Sequence, residues 1–445
     1  MIRSFGHLVV SKEFPVVRFF TKSSRGQIVV LFAIILVVLL GFTALAIDSS
    51  VIYSDHRAAQ NAADAAALAG AGMAAQNMEN LSVIYDNFSC SNPNVINAMG
   101  VGVNVAINRA ATNNYTIDND VSDKNGVQVT CARTDIGPYV DNYVDISVWI
   151  TAPSNTSFAH LFYSGPIKVT AQSIVRVHPR KNLGFGYAVA AMGTNCSTGG
   201  LHGNGNTTIH SDHAGVFSNS CWDFANGKTH VYVNDPGGSG CRYYSGTVNP
   251  NWCSVPLVQS PVQLKPYLIP APECKTLPTY GAVSGGTINP GNYSGIHVGS
   301  QGTLTMNPGL YCFTGDVYFG AQATVVGNGV TMYFMNNAGF TVIAGADMTL
   351  SAPLSNGYPA IDGLLIYGAF GNSGTIEMGG HAASNYRGTV YMPDGTIILH
   401  GTPQMEAVEC QLVGKNVTLE GTSDIYIDYS GATNYQIPAI VDQLK

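Results

Sequence analysis

Apolar and polar positions follow three successive patterns along this 445-residue chain. Residues 28–47 form an uncharged run of 20 residues, which is long enough for one helix to cross a hydrocarbon core. Asp48 ends this run, and the alanine-rich sequence that follows has polar residues at helical spacing. We therefore expect one helix that crosses a membrane and continues as a stalk to residue 76, about 74 Å long if unbroken.

Residues 77–180 mix helical and strand patterns. Apolar positions in 95–111 are compatible with a helix, and β-rich runs follow at 126–130, 143–151 and 167–177. The apolar segment 157–165 links the last two runs. This order predicts a compact α+β domain, in which the helix or the stalk covers one face of an antiparallel sheet.

From residue 181 onward, short strands recur between Gly, Asn and Pro turns. This part of the chain holds 40 of the 50 glycines. Repeated short strands with abrupt turns are typical of a solenoid, so we predict a parallel β-helix over 181–445. A β-sandwich, which also needs many short strands, is the alternative. The overall prediction is a mainly β protein with an N-terminal α+β part. The predicted strands are 302–306, 316–319, 323–326, 330–335, 340–344, 347–350, 363–367, 374–378, 388–392, 395–400, 416–419 and 423–429.

Charge is distributed unevenly around the apolar run. The chain carries a net charge of −7, with +4 in residues 1–26 and −11 in the remainder. Basic residues before the span place the N-terminal tail in the cytoplasm and the bulk of the chain outside the membrane. An acidic exported region argues against nucleic acid as a partner. A cleaved secretory signal fits poorly, because the apolar run exceeds a normal signal core.

Nine cysteines all follow the span, and none forms a metal-binding CxxC motif. In an oxidising compartment this distribution predicts disulfides. Neighbouring positions suggest four pairs and leave Cys410 over, although sequence alone does not fix the connectivity. The segment 235–278, rich in Pro and Cys, interrupts the strand rhythm and is predicted to be an insertion held by disulfides. The suggested pairs are Cys90 with Cys131, Cys196 with Cys221, Cys241 with Cys253, and Cys274 with Cys312.

The N-terminal segment resembles a known family. The run Arg25-Gly26-Gln27, the span closed by Asp48, and the sequence QNAADAAALA from Gln60 to Ala69 resemble the N-terminal segment of TadE/TadG-like proteins of tight-adherence (Tad, Flp pilus) assembly systems. This resemblance covers about residues 25–76. It implies a pseudopilin-like domain at 77–180, and it raises the possibility of a leader cut after Gly26. The position where a prepilin site has Glu holds Leu31 here.

The small residues of the stalk have two interpretations. They would let another helix approach closely, or they pack on the sheet of their own domain. The first interpretation defines a helix–helix assembly face formed by Asn61, Ala62, Asp64, Ala65, Leu68 and Ala69.

Residues with catalytic or metal-binding chemistry are sparse. Glycosidases need two acids facing one groove, and the acids of 181–445 are scattered, with Glu406 and Glu409 the nearest to a pair. Ligand spacing typical of a metal site is also missing around His202, His210, His213, His230 and Asp212. Asp48-Ser49-Ser50 fits a capping or helix-interior role better than an ion site. We therefore predict no enzyme activity, no cofactor and no metal.

These patterns predict four parts: a basic cytoplasmic tail (1–26), a transmembrane helix and stalk (27–76), a pseudopilin-like domain (77–180) and a β-helix (181–445). The function expected is a single-pass inner-membrane component of a Tad-like pilus or adhesion apparatus, with its bulk periplasmic or extracellular. Its expected partners are the membrane, other pilus components and a surface glycan or host ligand. The alternative is a membrane-tethered β-helix that binds or acts on carbohydrate through exposed aromatic rings.

Overall fold

The computed structural model describes residues 27–444, except 137–138, 162, 225–228, 237, 356, 381–383, 402–407 and 422–423. The predicted basic tail 1–26, Glu406 and the first residue of the predicted strand 423–429 lie outside this description. The chain separates into two units by packing. Unit one comprises Met1–Ala66, Ile107–Val127 and Val148–Ser173, and unit two comprises Ala67–Ala106, Gln128–Ser147 and Ile174–Lys445.

Two α-helices lie in the N-terminal part of the described chain. Helix α1, Gln27–Asn80, is 54 residues long, so the apolar run and the alanine-rich stalk form one unbroken helix as predicted. Helix α2, Pro93–Thr112, matches the predicted helix at 95–111. The chain also has short 3₁₀ helices at Tyr85–Asn87, Ala159–Leu161, Leu183–Gly186, Pro250–Trp252 and Cys274–Thr276.

A four-stranded sheet follows the helices. Its strands are β1 (Val127–Ile136), β2 (Tyr139–Ser154), β3 (Ile167–His178) and the last strand of the chain, β30 (Ile440–Gln443), in the order β1-β2-β3-β30. Buried and partly exposed side chains alternate along β3, as expected of a sheet with one covered face. Strand β30 pairs antiparallel with β3 and adds the C-terminal end of the chain to this sheet.

Most of the remaining strands have two to six residues, as the glycine-rich pattern predicted, and two strands late in the chain are longer. The first group is β4 (Lys181–Asn182), β5 (Val189–Ala191), β6 (Gly200–Gly205), β7 (Thr208–Asp212), β8 (Val216–Ser218), β9 (Trp222–Phe224), β10 (His230–Asn234), β11 (Cys241–Tyr243) and β12 (Val258–Gln259). The second group begins with β13 (Thr279–Tyr280), β14 (Gly286–Ile288), β15 (Gly291–Tyr293), β16 (Ile296–Val298), β17 (Thr303–Met306), β18 (Gly309–Phe313), β19 (Val317–Phe319), β20 (Thr324–Asn328) and β21 (Val330–Phe334). It continues with β22 (Phe340–Val342), β23 (Asp347–Ser351), β24 (Leu364–Gly368), β25 (Thr375–Met378), β26 (Asn385–Gly401), β27 (Glu409–Gly421), β28 (Ile425–Asp428) and β29 (Gln436–Ile437).

The strands from β5 to β28 stack in parallel along three ladders. The long strands β26 and β27 turn the corner from ladder A to ladder B, so each of them belongs to more than one ladder. Parallel stacking of successive coils is the pairing that a solenoid requires, whereas a sandwich is built from antiparallel sheets. Ladder A runs β12-β11-β8-β5-β27-β26-β24-β21-β18-β15-β13, ladder B runs β9-β6-β27-β26-β25-β22-β19-β16, and ladder C contains β10-β7-β28 and β26-β23-β20-β17-β14.

The order of the coils along the stack differs from their order in the chain. Leu412 and Val413 of β27 pair in register with Val189 and Ala190 of β5, so the last coil of the chain lies directly on the first. The stack therefore begins at residue 279, runs to residue 428, and continues from residue 189 to residue 259. In chain order, the coils at 189–259 come first. The chain then runs to the other end of the stack, where the coils at 279–428 begin.

Residues 260–278 make this return, and we name them the strap. Within the predicted insertion 235–278, β11 and β12 are members of ladder A, and only the strap leaves the ladders. The strap packs on the outer side of ladder A, where Leu264 and Ile269 are 2% exposed. Hydroxyl groups of Tyr367 and Tyr391 donate to strap carbonyls at Ile269 and Tyr267, at 2.5 and 2.8 Å.

Two apolar clusters stabilise the stack. The larger one fills the inside of the coils, where side chains in register, such as Leu304, Val325 and Met348, are at most 1% exposed. The smaller cluster lies between ladder A and the strap and contains the aromatic column of Tyr333, Tyr367 and Tyr391. Burial raises the pKa of both the Tyr367 and the Tyr391 hydroxyl, which keeps them as hydrogen-bond donors.

Candidate membrane and assembly interface

The first part of α1 exposes its apolar side chains on all sides. Ile28 is 68% exposed, Phe42 is 67% exposed and Leu45 is 64% exposed. Within the described residues, one helix is long and apolar enough to cross a membrane, and it is α1. A helix that is apolar all round and not covered by protein is typical of a membrane span.

Asp48, the first charge after this apolar run, ties α1 to the loop between β2 and β3. Its carboxylate accepts backbone hydrogen bonds from Ser157 (2.8 Å), Phe158 (3.0 Å) and Ala159. Burial alone would raise the pKa of Asp48, but these three donors together lower it below its ordinary value. The predicted capping role is thus realised on the short helix Ala159–Leu161 and not on α1 itself.

Two further contacts in unit one join α1 to strands β2 and β3. The Ser154 hydroxyl of β2 donates to the Asp55 carboxylate at 2.6 Å. Gln60 donates to the Gln172 carbonyl of β3 at 3.0 Å and to Asp64 of α1 at 2.9 Å. Hydrogen bonds at Asp48, Asp55 and Gln60 therefore attach the part of α1 that follows the apolar run to β2, β3 and the loop between them.

The stalk buries one face and exposes the other. The six predicted assembly residues divide between these faces: Ala62 is buried, Asn61 and Leu68 are exposed, and Asp64, Ala65 and Ala69 are intermediate. Most of the small residues therefore pack within their own chain, at Ala59, Ala62, Ala63, Ala66, Ala67, Ala71, Ala74 and Ala75. A narrower stripe remains, formed by the exposed residues Asn61, Leu68 and Gly72 and the partly exposed Ala65.

Glycine lets the two helices approach closely in unit two. A Cβ atom on Gly70 of α1 would lie 2.7 Å from the backbone oxygen of Gly102 of α2. A Cβ atom on Gly102 would lie 2.8 Å from Ile146 of β2 and 3.2 Å from Ala74 of α1. Both glycines are thus required by the helix crossing, and Gly102, which weakens a helix prediction from sequence, has a packing function.

The eight predicted disulfide cysteines are joined in the four suggested pairs. Cys274, at the end of the strap, is bonded to Cys312 of β18. Cys410 is a free thiol and is buried within β27. Its pKa is raised by burial, so it is protonated at neutral pH.

The histidines singled out from the sequence have separate partners. His213 lies 2.7 Å from Asp428, His210 lies 3.7 Å from Asp424, and His202 lies 3.9 Å from Asp223. His230 faces the Asn251 carbonyl at 3.3 Å. Across the described ranges, His, Cys, Asp and Glu do not gather in groups of three or more that could hold a metal ion.

The acids of the coils are paired in ways that the sequence did not indicate. On ladder B, His400 lies between Glu377 (2.8 Å) and Glu420 (3.3 Å). Glu409 forms an ion pair with Arg387 at 2.6 Å, whereas its predicted neighbour Glu406 lies outside the described residues. These groups pair across neighbouring strands on the outside of the coils, which is the arrangement of structural cross-strand pairs.

An exposed aromatic column lies on ladder C. His210 stacks between Tyr426, at 4.4 Å and 5°, and Tyr232, at 5.5 Å and 13°. Tyr232 is 54% exposed and Tyr426 is 41% exposed. Because the rings are nearly parallel, their faces cover one another and mainly their edges meet solvent.

Sequence reasoning missed a cleft of about 500 Å³ between the strap and residues 181–185. Leu183, Leu264 and Val413 contribute to its apolar lining, and Lys181 is a charged residue in its wall. Burial lowers the pKa of Lys181, an effect opposed by Asp141. Phe185 has a left-handed backbone with φ of 56°, which is rare for a bulky side chain, and this local strain carries no signal in the sequence.

Comparison with known proteins gives one match. Residues 26–75 match the family model described as putative Flp pilus-assembly TadE/G-like, which confirms the resemblance predicted for this segment. No curated protein matches the chain. No solved structure matches it either. Residues 27–75 of the matched segment lie within α1 and include both the apolar run and the stalk.

Proposed function

We propose that this protein is a membrane-anchored structural component of a Tad-like pilus or surface-adhesion apparatus. Helix α1 crosses the inner membrane once with its N-terminus in the cytoplasm, and the rest of the chain lies outside. The observation that carries this proposal is the single 54-residue helix, in which an exposed apolar run continues into the stalk within the matched segment. The basic residues before the run support the orientation.

In this proposal, residues 77–180 form a pseudopilin-like domain and residues 181–445 form a parallel β-helix. Parallel pairing on three ladders and the continuous inner cluster support the β-helix. The disulfides fit an oxidising compartment. In support of a non-catalytic role, Glu377, Glu409 and Glu420 on the coils pair with His400 or Arg387 on an outer surface.

The exposed stripe of the stalk is the proposed contact for other pilus components. Leu68 is 42% exposed on this stripe, and Met73, on another side of the same helix, is 37% exposed. A carboxylate at position 68 would enter the proposed helix–helix contact without a charge partner, whereas the same change at position 73 would remain in water.

Leu68→Glu should therefore reduce co-purification, from native membranes, of pilus-assembly proteins of the same cell. Met73→Glu is the matched control and should leave co-purification unchanged. Asp64→Leu should act in the same direction as Leu68→Glu without unfolding the coils. Equal co-purification of all three variants and the unmodified protein would contradict the assembly role of this stripe.

The second candidate function is a membrane-tethered protein that binds carbohydrate or host ligand. The exposed column of Tyr232, His210 and Tyr426 is the observation in its favour. Sugars stack on ring faces, and the mutual stacking of this column leaves few faces open. Specific signals for the full-length protein on a glycan array, lost in Tyr232→Ala and Tyr426→Ala, would favour this candidate over the structural one.

A further inference from the structure

The loop between β2 and β3 carries exposed aromatic side chains at a defined level of α1. Phe158 is 39% exposed and Tyr163 is 55% exposed, and His160 between them is also exposed. These residues belong to unit one, as does the apolar run of α1. The loop thus presents two exposed aromatic rings in the same unit as the apolar run.

Asp48 fixes this loop against α1 directly after the apolar run. The Asp48 carboxylate holds the backbone of Ser157, Phe158 and Ala159 within 3.0 Å, and Asp48 follows Ile47, the last residue of the run. Within the loop, the Tyr163 amide donates to the carbonyl of the anchored residue Ala159 at 2.9 Å, which keeps Tyr163 near this attachment. The loop backbone is therefore held at the level where the apolar run ends.

That level coincides with the boundary between lipid tails and head groups. One residue of helix rises about 1.5 Å, so Asp48 lies close to the end of the hydrocarbon core if residues 28–47 span it. The head-group region on each side is about 5 to 7 Å thick. Aromatic rings, above all those of Tyr and Trp, concentrate in this region because they pair an apolar surface with a polar edge.

We propose that the loop around Phe158 and Tyr163 is a second membrane contact, which inserts both rings into the interface of the bilayer that α1 crosses. The partner is the head-group and upper acyl region of the lipid. Two contacts at different positions around the helix axis fix the rotation and tilt of α1, which a lone span leaves free. This inference rests on the proposed membrane anchoring of α1.

The test uses the full-length protein in nanodiscs of phosphatidylcholine and phosphatidylglycerol, with quenchers placed at known depths. Phe158→Trp and Tyr163→Trp each add one fluorophore to the native tryptophans. We expect the added emission to be quenched strongly by a nitroxide at the head group or bromine at acyl carbons 6 and 7. Bromine at carbons 11 and 12 should quench it less.

Two variants complete the design. Tyr358→Trp, at an 81% exposed residue of the coils, is the matched control and should show no quenching by any of these lipids. Asp48→Ala in the Phe158→Trp background should reduce the quenching, because the loop loses its three hydrogen bonds to α1. Circular dichroism of each variant verifies that the fold is retained.

Extraction with alkaline carbonate separates failure of this inference from failure of membrane anchoring. If the protein resists extraction and neither Phe158→Trp nor Tyr163→Trp is quenched, the loop contact is refuted and the span stands. If carbonate releases the protein, both the span and the loop contact are refuted. Equal quenching of Phe158→Trp with and without Asp48 would refute the role given to that carboxylate.

Discussion

The strap is held at one end by a single buried amide side chain, which makes its attachment open to a direct test. Asn219, fully buried, donates to the Leu264 carbonyl at 2.6 Å and accepts from the Leu264 amide at 2.8 Å. It also donates to the Met192 carbonyl at 2.8 Å. Asn219→Ala removes these bonds and leaves the amide and the carbonyl of Leu264 without their partner.

The expected cost follows from the number of groups that lose a partner. A buried polar group deprived of its hydrogen bond costs about 1–2 kcal/mol, so the two strap groups cost about 2–4 kcal/mol together. Each 1.4 kcal/mol changes an equilibrium about tenfold. Local opening of the strap should therefore become roughly 30 to 700 times more frequent.

Hydrogen exchange measured by mass spectrometry on a peptide covering residues 260–270 reports this opening, because the Leu264 amide is itself one of the bonded donors. Asn307→Ala is the matched control, since the exposed Asn307 side chain makes one bond, to Asn289 at 2.8 Å, away from the strap. Exchange of the strap should be unchanged in this control. Unchanged exchange in Asn219→Ala, with the Cys274–Cys312 disulfide intact, would refute the attachment of the strap by Asn219.

Two further predictions concern packing. Gly70→Ala should destabilise the protein by about 1–3 kcal/mol, because the new Cβ atom would lie 2.7 Å from a backbone oxygen of α2. At Gly72, two residues further on, an added Cβ atom has no neighbour within 4 Å, so Gly72→Ala should instead stabilise the protein by about 0.5–1 kcal/mol. Thermal unfolding of both variants measures these changes. A loss of stability in Gly72→Ala would contradict the reasoning. The buried, protonated Cys410 should resist iodoacetamide at neutral pH in the folded protein and react after denaturation, and rapid labelling of the native protein would contradict its burial.

The parts of the fold that depend on local sequence were predictable. An uncharged run followed by alanines specifies a continuous helix, because both segments favour the same backbone, and α1 is unbroken from Gln27 to Asn80. Glycine-bounded apolar runs predicted eleven of the 24 strands from β5 to β28, all of them after residue 300, and missed the strands before it. Nearby cysteines were joined as suggested, since each pair is separated by 41 residues or fewer.

Contacts between distant residues were not predictable in the same way. Asp48 was expected to have a capping or helix-interior role, and it lies inside α1, but its partners at residues 157–159 come from a loop whose position depends on the whole sheet. The pairing of Leu412 with Val189 has no local signal, because every coil presents a similar apolar face to its neighbour. The strap was predicted only as part of an insertion, for the same reason. Its proline-rich sequence indicates that it is not a coil strand, but it does not indicate which strands the strap packs against.

The inverted coil order gives the strap its structural significance. The coils at 189–259 are synthesised before the coils at 279–428, yet their β5 and β6 edge is covered only when β27 pairs with it. Before that pairing forms, the strap connects the two parts of the stack. It is hydrogen-bonded to Asn219 at Leu264 and disulfide-bonded to β18 through Cys274. A connection of fixed length limits which edges of the two parts can meet. The strap sets that limit for the coils on either side of it in the chain.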